Sequence, residues 1–155
     1  MNAQIKAIPA AERCFKVLAD GTQVPATDPR TDHVAVLDPA LNLQFYVHSV
    51  GINGKAATGH KLKEQDAVGQ IDALGGGWRL AELEEAESII DRDRYAPALD
   101  PNLFPGIKPA WHLTAKPAAW APARAAWWVF FYYGGVGSDY LDFGGWALAV
   151  RPAGQ

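Results

Sequence analysis

The chain has 155 residues, of which 49% are apolar and 20% are charged, and its formal net charge is −3. This length fits a single domain over residues 1–155, and a domain of this size can bury a hydrophobic core. The lysines and arginines are scattered, which excludes the basic surface of a nucleic-acid-binding protein. No run of about 20 apolar residues predicts a membrane span.

Cysteine content and the start of the chain indicate the compartment. Cys14 is the only cysteine, which excludes an intrachain disulfide and a multi-cysteine metal site. Residues 1–15 carry Lys6, Glu12 and Arg13 and lack the apolar stretch of a signal peptide. We therefore expect a reducing compartment and a cytoplasmic location.

The first half of the chain predicts short strands and then helices. Turn sequences such as Asp20-Gly21 and Asp38-Pro39 separate four apolar, β-prone segments. The predicted strands cover residues 14–18, 22–25, 33–37 and 43–50. Apolar residues at helical spacing predict helices over residues 60–74 and 80–90. The first helix ends at the glycines of residues 75–77, and the second has an acidic face that suits solvent.

The second half predicts a proline-rich loop and then strands. Four prolines exclude regular structure from residues 91–110, whose apolar side chains should fold onto the core. The predicted strands cover residues 111–114, 126–133, 136–143 and 146–151. The last three form a meander with two-residue turns at Gly134-Gly135 and Gly144-Gly145, because glycine accepts positive φ. The order of elements predicts an α+β fold with an antiparallel sheet.

A series of motifs in the second half resembles a known family. The motifs are Gly77-Trp78-Arg79-Leu80, Tyr95-Ala96-Pro97, Leu99-Asp100-Pro101, Phe104-Pro105-Gly106, Trp111, Trp128-Val129-Phe130-Phe131, Gly134-Gly135-Val136-Gly137 and Ala149-Val150-Arg151. In order and spacing they resemble the DUF1566 family, also named for the C-terminal domain of the Legionella collagen-like adhesin. The resemblance covers residues 66–151, and Asp20-Gly21 and residues 43–50 resemble the family's start.

The resemblance implies a C-type-lectin-like fold, in which two helices pack on a twisted antiparallel sheet with long irregular loops. It also implies a non-catalytic binding module, since most members are adhesin tips or extracellular or phage-associated proteins. In this reading Trp78 packs between helix and sheet, and Arg79 pairs with an acid or with loop carbonyls. The chain departs from the family at Ala81-Glu82 and at Trp111-His112-Leu113, where hydroxyl side chains that could contact a ligand are replaced.

Candidate catalytic and metal residues are few. Asp100-Pro101-Asn102 resembles the Glu-Pro-Asn loop of calcium-dependent lectins, but the accompanying Trp-Asn-Asp segment is missing. The four histidines are too dispersed for a helical metal pair, and Ser49, Ser88 and Ser138 lack a Gly-x-Ser-x-Gly elbow. We therefore expect no enzyme, no metal and no cofactor.

Nine of the seventeen aromatic residues lie between positions 127 and 146. Two interpretations stay open: the block is entirely core, or it is core plus a binding or oligomer surface. Three aromatics exposed together would approach ~500 Å², about the largest apolar patch of an ordinary monomer. The residues chosen for the binding surface are Tyr132, Tyr133, Tyr140, Trp120, His112 and Asp139.

The function that these observations favour is recognition of another protein through the aromatic surface and the loops beside it. Some members of the family are phage-associated. The resemblance therefore implies one such role, a phage or mobile-element inhibitor of a host complex. A carbohydrate-binding, adhesin-like domain is the alternative, and an enzyme of unrecognised type is the third hypothesis. A homo-oligomer stays open, whereas nucleic acid and membranes are not expected partners.

Overall fold

A computed structural model describes residues 10–51 and 64–154, without the side chains of residues 64–66. The helices of this part are α1 Ala10–Arg13, α2 Glu64–Asp72, α3 Leu83–Glu87 and a 3-10 helix over Leu141–Phe143. Its strands are β1 Phe15–Val17, β2 Gln23–Pro25, β3 Ala35–Asp38, β4 Leu43–Tyr46, β5 Arg79–Leu80, β6 Trp111–Pro117, β7 Ala125–Phe130, β8 Gly135–Tyr140, β9 Trp146–Ala147 and β10 Ala149–Pro152. Most of these elements overlap the predicted segments, whereas α1 and β5 were not predicted.

The strands form two sheets. The first has the order β2-β1-β3-β4-β10-β5 and is antiparallel throughout. The second has the order β8-β7-β6-β9, in which only β6 and β9 are parallel. The α+β class with mainly antiparallel sheets is therefore confirmed. The finer expectation of a C-type-lectin-like fold stays a prediction.

The predicted three-stranded meander is wrong in its third strand. β7 and β8 form the expected hairpin, but residues 146–151 divide between the two sheets. β9 runs beside β6, and β10 inserts between β4 and β5. The 3-10 helix and Gly144, whose φ is 89°, turn the chain away from β8 after Tyr140.

The hairpin turn also differs from the predicted Gly-Gly pair. Residues 131–134 connect β7 to β8, and the Gly134 N–H donates to the Phe130 carbonyl at 2.8 Å. Gly134 has a φ of 92°, a left-handed conformation that glycine adopts without strain. Gly135 is instead the first residue of β8.

The helices are shorter than predicted. The helix expected over residues 60–74 is present as α2, and residues 60–63 lie outside the described residues. The helix expected over residues 80–90 begins only at Leu83, because Arg79 and Leu80 pair with β10 as strand β5. None of the described helices has the length and apolarity to cross a membrane.

The main core joins the two sheets. Phe45 and Val150 from the first sheet pack in one buried cluster with Val129 from the second sheet and Phe131 from the turn after β7. The proline-rich loop adds Leu99, Leu103, Phe104 and Ile107 to this cluster, as predicted. A second cluster surrounds Trp128 and includes Leu113 of β6 and Ile71 of α2. Both faces of the second sheet are therefore partly covered.

Gly145 supports a specific stability prediction. A Cβ atom at this position would lie 2.6 Å from the Trp111 carbonyl oxygen and 2.8 Å from the buried Trp128 ring. We expect Gly145→Ala to lower the free energy of unfolding by about 2 kcal/mol, because neither neighbour can move freely. Urea denaturation measures the change. Gly69→Ala is the control, since nothing lies within 4 Å of that added Cβ, and equal effects from the two variants would contradict the prediction.

Candidate recognition surface

The two ends of the family pattern meet at Trp78. The Arg151 guanidinium lies 4.3 Å from the centre of the Trp78 ring, a cation–π arrangement. The same guanidinium donates to the Gln44 side chain at 2.9 and 3.1 Å and to the Gly76 carbonyl at 3.1 Å. Trp78 also contacts Tyr46 and packs beside the cluster that contains Ile71 of α2. Trp78 and Arg151 therefore connect the first sheet, the turn at Gly76 and α2.

Arg79 fixes the start of α3. Its guanidinium makes two hydrogen bonds of 2.8 Å to the Glu85 carboxylate and one of 3.3 Å to the Leu80 carbonyl. The Glu85 carboxylate also accepts the Glu82 N–H at the helix N-terminus, at 2.8 Å. The hydrogen bonds from Arg79 lower the pKa of Glu85. The expectation that Arg79 pairs with an acid or with loop carbonyls is confirmed for the acid, Glu85.

The Asp100-Pro101-Asn102 segment contacts the buried side chain of Lys16 through Asn102. Lys16 is inaccessible to solvent, and its ammonium group donates to the Asp28 and Arg30 carbonyls and, at 3.1 Å, to the Asn102 side-chain oxygen. The Asn102 amide donates in turn to the Ala26 and Asp28 carbonyls. In residues 10–51 and 64–154, no group of three or more His, Cys, Asp or Glu side chains could hold a metal ion.

Aromatic rings form a continuous series at the β7–β8 turn. Trp111 stacks on Phe130 with ring centres 4.6 Å apart, and Phe130 stacks on Tyr132 at 5.7 Å. Tyr133 meets the edge of Phe130 at 4.9 Å, and Tyr95 meets Tyr132 at 6.4 Å. We call the three exposed tyrosines at the end of this series, Tyr95, Tyr132 and Tyr133, the turn patch.

Glycines in β8 make room for these rings. A Cβ atom on Gly135 would lie 2.8 Å from the Tyr133 ring, and one on Gly137 would lie 3.6 Å from the Trp111 ring. Both glycines face the same side of the sheet, because alternate residues of a strand share a face. The glycine motif of β8 is therefore a surface on which aromatic side chains rest.

A second group of exposed side chains lies on the other face of β8. Trp120 meets Tyr140 edge-on at 5.1 Å, and its indole N–H donates to the Ser138 hydroxyl at 3.0 Å. Val136 shares this face with Ser138 and Tyr140, because the three alternate with the glycines. We call the exposed residues Trp120, Val136 and Tyr140 the edge patch.

Four of the six predicted binding residues are strongly exposed. The exposed fractions are 44% for Tyr132, 59% for Tyr133, 45% for Tyr140 and 54% for Trp120. They divide between the turn patch and the edge patch. Asp139 is half-buried and accepts the Tyr140 N–H at 2.7 Å.

His112 does not belong to this surface. Its side chain is inaccessible to solvent, and its ring meets Phe131 edge-on at 4.8 Å. One ring nitrogen lies 2.9 Å from the Ala110 carbonyl oxygen and the other 2.6 Å from the Ser49 hydroxyl. Burial lowers the pKa of His112 to about 4, so the ring is neutral near pH 7. Its Nδ1–H then donates to Ala110, and Ser49 donates to Nε2.

Sequence patterns missed two parts of the exposed surface and the contact between Ser49 and His112. Tyr95 is 74% exposed, but it lies in an irregular loop where no periodicity marks a binding residue. The loop is held against the turn because the Ala98 N–H donates to the Phe131 carbonyl at 2.7 Å. Val136 was missed because its place on the edge patch depends on the loop that carries Trp120. Ser49 and His112 are 63 positions apart, and no local pattern connects them.

The described elements define an α+β domain with two sheets, whose exposed aromatic residues are held by ring contacts. Residues 35–152 match the family model of the Lcl C-terminal domain, and the chain belongs to that family. This is the family of the Legionella collagen-like adhesin C-terminal domain that the sequence resembles. The match includes β3 and β4 but not Asp20-Gly21.

Family membership indicates an adhesin-like binding module. No curated protein matches this chain. No solved structure matches it either.

Proposed function

We propose that this chain is a non-catalytic recognition module that binds another protein through its exposed aromatic residues. The observation that carries the proposal is the turn patch, in which Tyr95, Tyr132 and Tyr133 are exposed together and fixed by ring contacts. Tyrosine is among the residues that dominate binding energies at protein interfaces. Side chains that are already ordered lose little entropy on binding, which favours affinity.

The surroundings of the turn patch suit a protein interface. Asp91 and Arg94 form an exposed ion pair of 3.1 Å in the segment just before Tyr95. Asp93, whose N–H donates to the Asp91 carboxylate, is also exposed. An apolar centre with a rim of charges of both signs is the usual arrangement of protein–protein interfaces.

The Ser49–His112 pair supports a binding role over a catalytic one. A general base must accept a proton near the working pH, and burial places the pKa of His112 at about 4. The ring is enclosed by core residues, among them Phe131. The pair joins β6 to the segment after β4, which is a structural role.

A cytoplasmic location is part of the proposal. Cys14 is a free, buried cysteine, and burial raises the pKa of its thiol to about 12. Such a thiol is unreactive and behaves as a small apolar core residue. A role as a phage or mobile-element inhibitor of a host complex is a finer hypothesis, and it depends on the identity of the captured partner.

Capture of partners from the lysate of the native host tests the proposal. We expect a stoichiometric protein partner whose affinity falls about 30-fold in Tyr132→Ala, because a central interface aromatic contributes about 2 kcal/mol. Phe15→Ala is the matched control, since Phe15 is an exposed aromatic residue of β1, in the other sheet.

Two results would contradict the proposal. One is unchanged capture by both the Tyr132→Ala and the Tyr133→Ala variants. The other is binding to an array of purified glycans in the absence of any protein, lost in Tyr132→Ala, which would favour the carbohydrate-binding alternative. The observation behind the carbohydrate-binding alternative is that the Phe130 and Tyr132 rings are nearly parallel, with 19° between their planes.

A further inference from the structure

β8 is the longest strand at an edge of either sheet. It has six residues and pairs with β7 on one side without a register shift. The other edge strands are short: β2 has three residues and ends in Pro25, and β5 and β9 have two each. Proteins usually shorten their edge strands or place lysine, proline or a bulge in them, because unpaired main-chain groups attract another strand. β8 has six residues and lacks lysine, proline and a bulge, and its one charged residue is Asp139.

Hydrogen bonds identify the residues of β8 whose main-chain groups point outward. The Leu141 N–H donates to the Arg124 carbonyl at 2.8 Å, one position beyond the Ala125–Tyr140 pair. Hydrogen-bonded and non-hydrogen-bonded pairs alternate along antiparallel strands. Gly135, Gly137 and Asp139 therefore bond to β7, and the main-chain groups of Val136, Ser138 and Tyr140 face away from it.

These outward groups have few partners in the described chain. Asp139 accepts the Tyr140 N–H, and Trp120 contacts the Ser138 side chain rather than its main chain. No hydrogen bond from residues 10–51 or 64–154 reaches the outward main-chain groups of Val136 and Ser138. A second strand can pair there.

We propose that this second strand is β8 of another copy of the chain, paired antiparallel about a twofold axis at Ser138. In this register Ser138 exchanges hydrogen bonds with Ser138 of the second copy. The Val136 N–H meets the Tyr140 carbonyl of the second copy, so the Asp139–Tyr140 contact need not break. The two four-stranded sheets become one continuous sheet.

Charge and shape favour a second copy in this register. Asp139, the only charged residue of β8, lies opposite Gly137 of the second copy, so the two carboxylates do not face each other. Val136 lies opposite Tyr140 of the second copy on the face that carries Trp120. Pairs of a β-branched and an aromatic residue across strands are stabilising. The edge patches of the two copies would cover each other.

Pairing through β8 leaves the turn patch accessible in both copies. Tyr133 rests on the opposite face of β8, beside Gly135. The dimer would then present two turn patches and gain avidity for a partner with repeated sites. The pairing itself does not depend on the proposed function.

The mass of the purified full-length chain, measured by light scattering over about a hundredfold range of concentration, tests the pairing. We expect the mass to rise from monomer to dimer with concentration. Val136→Lys should weaken the dimer at least about tenfold, because an ammonium group at the edge opposes strand addition. Val68→Lys, at an equally exposed valine of α2, should leave it unchanged.

Circular dichroism of each variant shows that the fold is retained. Ser138→Pro is a second test, because it removes an outward N–H and no hydrogen bond to β7. It also removes the hydroxyl that accepts the Trp120 N–H, so Ser138→Ala, which keeps the outward N–H, is compared with it. A wild-type chain that stays monomeric throughout would overturn the inference. So would an oligomer whose mass is unchanged by both edge variants. No partner is present in this measurement, so its outcome is separate from that of lysate capture.

Discussion

Lys16→Met should lower the free energy of unfolding by about 3 kcal/mol, because it removes the ammonium group that donates to three partly buried oxygen atoms. The Asp28 and Arg30 carbonyls and the Asn102 side chain accept hydrogen bonds from the ammonium group. A hydrogen bond from a charged donor contributes about 1.5–3 kcal/mol, and an acceptor left unpaired in the interior adds a penalty. The thioether of methionine fills the space but offers no donor, so the loss exceeds that of one hydrogen bond.

The measurement for Lys16 is urea denaturation at pH 7. Lys116→Met is the matched control, because Lys116 is exposed near the end of β6, and its effect should stay within about 0.5 kcal/mol. Burial lowers the pKa of Lys16, and the neighbouring carboxylates of Asp28, Asp100 and Asp32 oppose that shift. Equal stability of the two methionine variants would show that the Lys16 hydrogen bonds contribute nothing net.

Stability should fall on acidification because His112 is held neutral in the core. Burial lowers its pKa from 6.5 to about 4. Below pH 6.5 the unfolded chain binds a proton at this position and the folded chain does not, so the folded state is penalised increasingly as the pH falls towards 4. The total amounts to about 3 kcal/mol, of which about 2 kcal/mol falls between pH 7 and pH 5.

Denaturation curves at pH 5, 6 and 7 measure this dependence. His112→Gln should be less stable at pH 7, because it disturbs the contacts with Ser49 and Ala110, but its stability should change less with pH. His33 is also buried and has a lowered pKa, chiefly from desolvation, so some pH dependence should persist. A His33→Gln variant isolates that part. An unchanged slope in His112→Gln would show that His112 binds protons equally in the folded and unfolded chains, which would contradict the prediction.

Local sequence patterns located most strands, because each depends on a few adjacent residues. The segments that overlap β1, β2, β3 and β4 were identified from β-prone residues between turn sequences. The exposure of Trp120, Tyr132, Tyr133 and Tyr140 was also predicted correctly. Their polar edges tolerate water, and that property needs no knowledge of the tertiary structure.

The errors arose where distant partners decide the structure. Leu80 begins a helical pattern, but pairing with Ala149 makes it part of β5. Residues 146–151 look like one strand because no local residue shows that they divide between two sheets. His112 resembles a surface residue until the Ala110 and Ser49 partners are known. The division of the exposed tyrosines between two faces follows from the four-residue turn after β7, which two glycines in sequence do not reveal.

The central position of β10 has a consequence for the order in which the chain folds. β10 joins β4 to β5, yet Arg151 and its partner Gln44 are 107 positions apart. During synthesis, the first sheet must therefore wait for residues 149–152 before its strands can close. Conformational entropy is lost on closing a loop of this length before the strand pairing stabilises the chain, which makes folding slow. A nascent chain in which β4 has been synthesised still exposes an open strand edge, so it would benefit from protection by a chaperone until β10 has been synthesised.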